Sequence, residues 1–320
     1  MTMMNSKGMS LVELMVAMVI GLFLTAGLFS MFLMSSSNVT TTSQFNQLQE
    51  NGRIALTLME RDLSQLGFMG DITGTDFIIG TNTTVDATAA IGISGDCIGA
   101  GLNNETFPID IAAHFRRLWG YENGVSTESL ACLSNVNDKT DVIQMKRLLG
   151  PSVAIGTTDA FYVEANANQA VFFKTATAGI LDSSRIWEYQ HHIYYIGDDA
   201  DGIPILRRKS LSATGMGNDE QLVEGIENMR VMYGFDSNGD STADSYMPAE
   251  DVSSLMWDNE LFQRLVALRV HLLVRATEAD NSYTNETTYT LGDKTIGPLK
   301  DNFRRKVLST TIVLENPVLI

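Results

Sequence analysis

The chain is short of positive charge. It has 22 Lys and Arg residues against 38 Asp and Glu residues, which gives a formal net charge of -16 at pH 7 and a pI near 4.6. A nucleic-acid surface needs clustered Lys and Arg, so this composition argues against direct nucleic-acid binding. Three short basic runs are exceptions, and we interpret each as a solvated strand end or turn: Arg116-Arg117, Arg207-Arg208-Lys209 and Arg304-Arg305-Lys306.

The motifs of common enzyme and metal classes are also missing. The sequence has no GxSxG, HExxH or dinucleotide-binding fingerprint. Its two cysteines form neither a CxxC pair nor a Cys/His cluster, which argues against a zinc site. His191 and His192 are adjacent on a predicted strand, so their rings point to opposite faces and favour a structural role. We therefore predict that the protein is not an enzyme and requires no cofactor.

What the sequence does have is one long apolar segment near its start. The run from Leu11 to Met34 is 24 residues long and contains a single charged residue, Glu13. At ~1.5 Å rise per residue, this run is long enough to cross a bilayer as a helix. An acid in such a segment normally marks a function with a specific partner. The alternative is that Glu13 remains hydrated at the membrane–water interface and is stabilised by the positive end of the helix dipole.

The residues before this segment suggest how it is processed. Gly8 precedes the apolar run, whereas the cleavage site of a secretory signal follows it. Lys7-Gly8 followed by Met9-Ser10-Leu11-Val12-Glu13-Leu14 resembles the prepilin signal of type IV pilins and type II secretion pseudopilins. The resemblance implies that a prepilin peptidase cleaves after Gly8 and methylates Met9, where the family usually has Phe. It also implies that Glu13 meets the free amine of a neighbouring subunit, so that two charges costly in lipid neutralise each other.

Later blocks narrow the resemblance to PilW-type minor pilins of the type IV pilus. Gln47 to Leu56, Glu60 to Leu63 and Gly67 to Gly70 resemble the stretch after the membrane helix in that family. So does Leu222 to Met229, which is followed by Tyr233-Gly234 and an Asp-rich loop. The resemblance implies that the partners are other minor pilins, the major pilin and a tip adhesin of the PilC/PilY type.

Cys97 and Cys132 both follow the membrane segment, and an even cysteine count in an exported domain indicates a disulfide. The alternative is two buried thiols.

The Asp-rich loop is a candidate calcium site. Asp236, Asn238, Asp240 and Asp244 place oxygen ligands at positions 1, 3, 5 and 9, as a hard cation requires. Two features depart from the EF-hand pattern. Ser241 stands at the position of the usual sixth glycine, and Met247 stands where the bidentate Glu would be. The alternative is an Asx-rich turn between strands.

The hydrophobic pattern changes period along the chain. After the apolar run, Ser35 to Ser43 is a stretch of poor helix formers that we interpret as a weak joint, helical in an isolated subunit. Apolar residues then recur at helical spacing: Leu48, Ala55, Leu58, Met59, Leu63 and Leu66. Beyond Gly67, apolar residues either alternate with polar ones or form short apolar runs, and both patterns predict strands. The predicted strands are Asp141–Leu149, Ala170–Lys174, Ile186–Tyr195, Ile203–Arg208, Met229–Phe235, Leu265–Arg275 and Lys306–Leu314.

These patterns predict an α+β, pilin-like fold, with a long N-terminal helix packed on an elaborated antiparallel sheet. We expect a cleaved leader at 1–8, a transmembrane helix at 9–34, a linker and amphipathic continuation of the helix at 35–70, and a β-rich globular domain at 71–320.

The expected function is that of a structural subunit in the priming or tip complex of a type IV pilus. It would support adhesion, twitching motility or DNA uptake. Before assembly, the helix would lie in the inner membrane and the domain in the periplasm; after assembly, the protein would be at the cell surface. The alternatives are a J-type pseudopilin of type II secretion, which shares the anchor, and a membrane-tethered, calcium-dependent adhesin or sensor.

Overall fold

A computed structural model of the chain describes residues 10–92, 95–154, 160–174, 181–261 and 263–316, without the side chains of residues 37 and 218. Contacts divide the chain into two compact units, Met1–Gln47 and Leu48–Ile320. The first helix, α1 (Leu11–Leu63), contributes to both units. Residues 35–43, the predicted joint, are helical in the structure.

Within the second unit, the end of α1 packs through one apolar stripe. Leu48, Ala55, Met59, Leu63 and Leu66 are buried as the helical spacing predicts. Leu58 was wrongly assigned to this stripe, because it is 38% exposed while Leu56 is buried. The buried stripe steps by four residues from Ala55 through Met59 to Leu63, and Leu58 lies at its margin.

Within the described residues, the larger sheet has eight strands: β1 (Thr83–Val85), β2 (Leu118–Glu122), β3 (Asp141–Val153), β4 (Phe161–Ala165), β5 (Ala170–Phe173), β6 (Arg185–Asp198), β7 (Pro204–Ser212) and β8 (Gly215–Glu224). Its spatial order is β1-β5-β4-β6-β3-β2, and β7 and β8 extend it from the second half of the long strand β6. All of these pairings are antiparallel except that of β1 with β5.

A second sheet of four strands has the order β10-β9-β11-β14, and β12 and β13 form a separate hairpin. A one-turn helix, α2 (Ser254–Trp257), precedes β11. These strands are β9 (Ile226–Asp236), β10 (Ser245–Pro248), β11 (Arg264–Arg275), β12 (Tyr289–Leu291), β13 (Lys294–Ile296) and β14 (Arg305–Val313).

All seven predicted strands are present, and β11 departs from regular alternation at Val266. A register shift against β9 falls between Leu265 and Ala267. The extra residue moves Leu265 into the core and leaves Val266 half-buried, as expected at a β-bulge.

The described part of the second unit contains two large apolar clusters and two small ones. The larger cluster lies between the end of α1 and strands of both sheets, and it includes Met59, Leu63 and Leu268. The smaller of the two large clusters is rich in aromatic rings, with Phe107, Phe172 and Trp187 among its members. A long N-terminal helix and antiparallel sheets therefore confirm the α+β, pilin-like fold.

Candidate functional site

The first helix begins with a capping box formed by Ser10 and Glu13. The backbone N–H of Ser10 donates to Oε2 of Glu13 at 2.8 Å, and the N–H of Glu13 donates to the Ser10 hydroxyl at 3.2 Å. Each side chain thus satisfies a backbone donor that the helix start would leave free. Gly8 and Met9, the predicted cleavage and methylation site, lie outside the described residues.

The helix that follows Glu13 presents apolar side chains on every side. Leu22, Phe23 and Phe32 are 69%, 76% and 68% exposed. The helix has a mean hydropathy of 2.3 in its most apolar window, so it is long and apolar enough to cross a membrane. Apolar surface of this extent is covered by lipid or by other protein chains.

The Asp-rich loop joins β9 to β10 and is organised by its own carboxylates. Asp236 accepts the backbone N–H groups of Asn238, Gly239 and Ser241 at 3.0, 2.6 and 2.8 Å. Burial alone would raise the pKa of Asp236, but these donors hold it below its ordinary value. Ser241 has a φ of 66°, the left-handed conformation that glycine usually provides at the sixth position of a calcium loop.

The remaining carboxylates of this loop also accept hydrogen bonds within it. Asp244 accepts the backbone N–H of Ser237 at 2.8 Å and Nδ2 of Asn238 at 3.0 Å. Asp240 accepts the N–H of Thr242 at 2.8 Å. Across the described ranges, no group of three or more His, Cys, Asp or Glu side chains is placed to hold a metal ion. The geometry is that of an Asx-rich turn that collects the four predicted residues in one loop.

Cys97 and Cys132 are joined by a disulfide with a Cα–Cα distance of 4.8 Å. Cys97 is fully buried in the larger apolar cluster, and Cys132 packs against that cluster. The bond therefore fixes the loops that flank β2 to the core.

The interpretation of the basic runs as solvated strand ends or turns was wrong for Arg116-Arg117 and for Arg305. Arg116 and Arg117 are 2% and 1% exposed. Nη2 of Arg116 donates to Oδ2 of Asp258 at 2.9 Å, and Nη1 donates to the carbonyl of Ala100 at 2.8 Å. Arg305 is buried as well, with Nη2 2.8 Å from a carboxylate oxygen of Glu227. Ion pairs with carboxylates that are distant in the sequence offset the cost of burying these guanidinium groups. A local sequence pattern does not reveal such pairs.

A buried ionic network, which was not predicted from the sequence, ties α1 to the larger sheet. Asp62 accepts from Nε of Arg147 on β3 at 3.0 Å and from the hydroxyl of Tyr194 on β6 at 2.7 Å. Nδ1 of His192 also lies in contact with its carboxylate. Burial alone would raise the pKa of Asp62, but His192 and Arg147 hold it far below its ordinary value. A detectable signal was that Asp62 follows Met59 by three residues on the buried stripe.

A second missed network surrounds Arg230 on β9, whose side chain is 2% exposed. Its guanidinium contacts Glu122 and Asp141 at 3.0 Å each, Glu250 at 2.8 Å and Asp293 at 2.7 Å. Glu122 and Asp141 lie on strands of the larger sheet, Glu250 lies in the turn after β10, and Asp293 lies in the turn of the β12–β13 hairpin. Burial raises the pKa of Asp141 to about 7, although the charge of Arg230 acts in the opposite direction. The sequence feature that could have indicated this network was an arginine within an otherwise apolar predicted strand.

His191 and His192 point to different partners, as predicted from their adjacency on a strand. Nε2 of His191 lies 2.9 Å from Nε2 of Gln144, whereas His192 faces Asp62. The two rings do not share a site.

The helix, the sheets and the capping box together define a class of protein, a pilin-like subunit with an N-terminal apolar anchor. Residues 3–29 match the family model described as Prokaryotic N-terminal methylation motif. Residues 193–316 match the model described as Type IV Pilus-assembly protein W. These two matches confirm the resemblance to PilW-type minor pilins of the type IV pilus. No significant match was found among curated proteins or among solved structures.

Proposed function

We propose that this protein is a structural, non-enzymatic subunit of the priming or tip complex of a type IV pilus. It supports pilus assembly, and thereby adhesion, twitching motility or DNA uptake. The observation that carries the proposal is the exposed apolar helix with Glu13 as the one carboxylate among residues 11–34. Such a helix needs a lipid or protein environment, and its acid needs a partner there.

The N-terminus provides the assembly chemistry in this proposal. A prepilin peptidase cleaves after Gly8 and methylates the amine of Met9, which leaves the apolar helix on the mature subunit. Glu13 then exchanges its contact with the Ser10 N–H for the free amine of a neighbouring subunit. The exchange replaces a local hydrogen bond by an ion pair that neutralises two charges in an apolar surrounding.

The N-terminal helix and the β-rich domain have different roles in this proposal. Before assembly the helix holds the protein in the inner membrane and the β-rich domain lies in the periplasm; after assembly the domain is exposed on the pilus. The helix packs with other minor pilins and the major pilin, while the domain selects its neighbours and contacts a tip adhesin of the PilC/PilY type. We expect no direct contact with nucleic acid, because the three basic runs are engaged with or close to carboxylates of the domain.

Calcium binding by the loop of Asp236, Asn238, Asp240 and Asp244 belongs to the same proposal as an accessory property. The left-handed Ser241 and the four oxygen-bearing side chains support it. A cation would replace hydrogen bonds that Asp240 and Asp244 now accept within the loop. Calorimetric titration of the full-length protein with calcium tests this property. Heat that disappears in Asp240→Asn supports it, and an absence of heat contradicts it.

The assembly role is tested by replacing Glu13 with Ala in cells and measuring pilus number and the amount of this subunit in sheared pili. The matched control is Glu50→Ala, which removes a second exposed acid from the same helix, outside its apolar segment. We expect Glu13→Ala to lower both quantities and Glu50→Ala to leave them unchanged. Normal pili containing the Glu13→Ala subunit would contradict the proposal. A defect in general protein secretion with normal pili would support the pseudopilin alternative instead.

A further inference from the structure

Lys146 is a fully buried lysine, and no carboxylate among the described residues forms an ion pair with it. It lies on β3 and is 0% exposed. In the part of the chain that the structure describes, no carboxylate oxygen lies within 4.0 Å of its Nζ. A buried ammonium group without a counterion is strongly disfavoured, so this side chain calls for an explanation other than an ion pair.

The group that Nζ contacts is the carboxamide of Asn104. Nζ lies 3.0 Å from Oδ1, and Asn104 is 1% exposed. Nδ2 of Asn104 donates to the carbonyl of Ala100 at 3.0 Å, which fixes the orientation of the amide. Because a C=O bond measures about 1.2 Å, the carbonyl carbon is one bond length beyond the oxygen that Nζ already contacts.

The surroundings exclude water from this pair. The ring of Phe115 covers Nζ, with its centroid 4.4 Å away, and Phe115 is fully buried. Burial lowers the pKa of Lys146 well below its ordinary value, and the charge of Arg116 lowers it further, against the opposing charges of Asp96 and Glu105. The neutral amine that results is the nucleophilic form of lysine.

We propose that Lys146 and Asn104 are a modification site at which the chain forms an intramolecular isopeptide bond. The bond between Nζ and Cγ of Asn104 forms, and the bond between Cγ and Nδ2 breaks. One proton of the Nζ amine passes to Nδ2, and ammonia leaves. The step is an acyl transfer between two nitrogens and needs no oxidant, metal or cofactor. It also removes the buried charge.

The bond would add a second covalent tie to the region that the disulfide already closes. Asn104 and Lys146 are 42 residues apart, and Cys97 and Cys132 are 35 apart, so the two closed loops overlap. The isopeptide bond would fasten the loop before β2 directly to β3. Unlike the disulfide, it would persist under reducing conditions.

Peptide mapping of the full-length protein, purified from membranes in detergent, tests the proposal. After reduction, alkylation and trypsin digestion, the uncross-linked chain yields Asp62–Arg116 and Thr140–Lys146 as separate peptides. We expect instead that Asp62–Arg116 is joined to Thr140–Arg147, because trypsin does not cleave after an acylated lysine. The mass of the joined species is lower than the summed masses of free Asp62–Arg116 and free Thr140–Arg147 by about 17 Da, the mass of ammonia. Complete recovery of the separate peptides would overturn the proposal.

Two variants assign the chemistry. Lys146→Arg keeps a positive charge but removes the nucleophile, so peptide Asp62–Arg116 should be recovered unlinked; a persistent link to Thr140–Arg147 would contradict the assignment. Lys139→Arg is the control at an exposed lysine nearby and should leave the linked fraction unchanged. The wild-type peptide map remains decisive even where a variant fails to fold.

Discussion

Gly52 of α1 lies directly against Leu308 of β14. A Cβ added to Gly52 would be 2.6 Å from Cδ1 of Leu308 and 2.9 Å from Cγ2 of Val274 on β11. Both distances are shorter than real Cβ contacts, so the absence of a side chain lets the helix approach the smaller sheet closely. This glycine lies inside the block that resembles PilW-type pilins.

Replacing Gly52 should reveal two opposing effects. Gly52→Ala gains about 1 kcal/mol of helix propensity, and the half-buried Leu308 can move its terminal methyl, so we expect a small net change. Gly52→Leu adds three more carbon atoms and should lower the free energy of unfolding by about 1 to 3 kcal/mol. Urea unfolding of the full-length protein in detergent, followed by tryptophan fluorescence, measures both. Gly21→Leu is the control, since nothing lies within 4 Å of a Cβ there. Equal stability of the two leucine variants would contradict the close packing.

Removing the charge of Asp62 should be far more costly. Asp62→Asn leaves Arg147 buried without its carboxylate and deprives Tyr194 of a charged acceptor. Loss of one partner of a buried ion pair costs about 3 to 5 kcal/mol. The same urea titration measures the loss, with Glu60→Gln as the control because Glu60 is exposed two residues earlier. A loss below about 1 kcal/mol would mean that the network does not hold the helix on the sheet.

The pH dependence of stability should report on Asp141. Its pKa is about 7 in the folded protein, above the value of about 3.9 expected in the unfolded chain. Its contribution is therefore fully present below the unfolded pKa and is lost as the pH rises through the folded pKa. Raising the pH from 5 to 7 should cost roughly 2 kcal/mol through this group.

The difference between wild type and Asp141→Asn isolates this effect. His191 is buried, and its pKa is lowered. Its contribution to the free energy of unfolding therefore has the opposite pH dependence and is lost as the pH falls below about 6.5. Both proteins contain His191, and the comparison cancels it. Unfolding free energies measured from pH 5 to pH 8 should fall less steeply in the variant. Parallel curves would contradict the raised pKa of Asp141.

The disulfide should stabilise the folded domain mainly through the unfolded chain. For cysteines 35 residues apart, loop-closure entropy gives about 3 to 4 kcal/mol. The double variant Cys97→Ala with Cys132→Ala should lose this amount in urea unfolding. Treating the wild type with reductant should produce nearly the same curve, whereas no change on reduction would show that the bond is absent from the purified protein.

The elements that could be predicted are those fixed by local pattern. The alternation of β11 and the apolar stripe from Ala55 to Leu63 identified a strand and a helix, since each has one buried face. Strands β2 and β4 were missed because every residue in them is buried, which removes the period of two. The bulge at Val266 depends on its pairing with β9, which is not a local property.

The ionic networks could not be predicted for a similar reason. Asp62 and His192 are 130 residues apart, and Arg230 and Glu122 are 108 apart. A charged residue is usually exposed unless it is paired, and the pairing exists only in the fold. By contrast, the Ser10 and Glu13 capping box is local, and its spacing could be read from the sequence.

The role of this chain as a processed pilus subunit is tested most directly by the mass of its N-terminal peptide in sheared, purified pili. We predict that the chain is present there and begins at Met9, with an added mass of about 14 Da for one methyl group. A chain that is absent from the pili, or that still begins at Met1, would contradict its role as a processed subunit of the pilus.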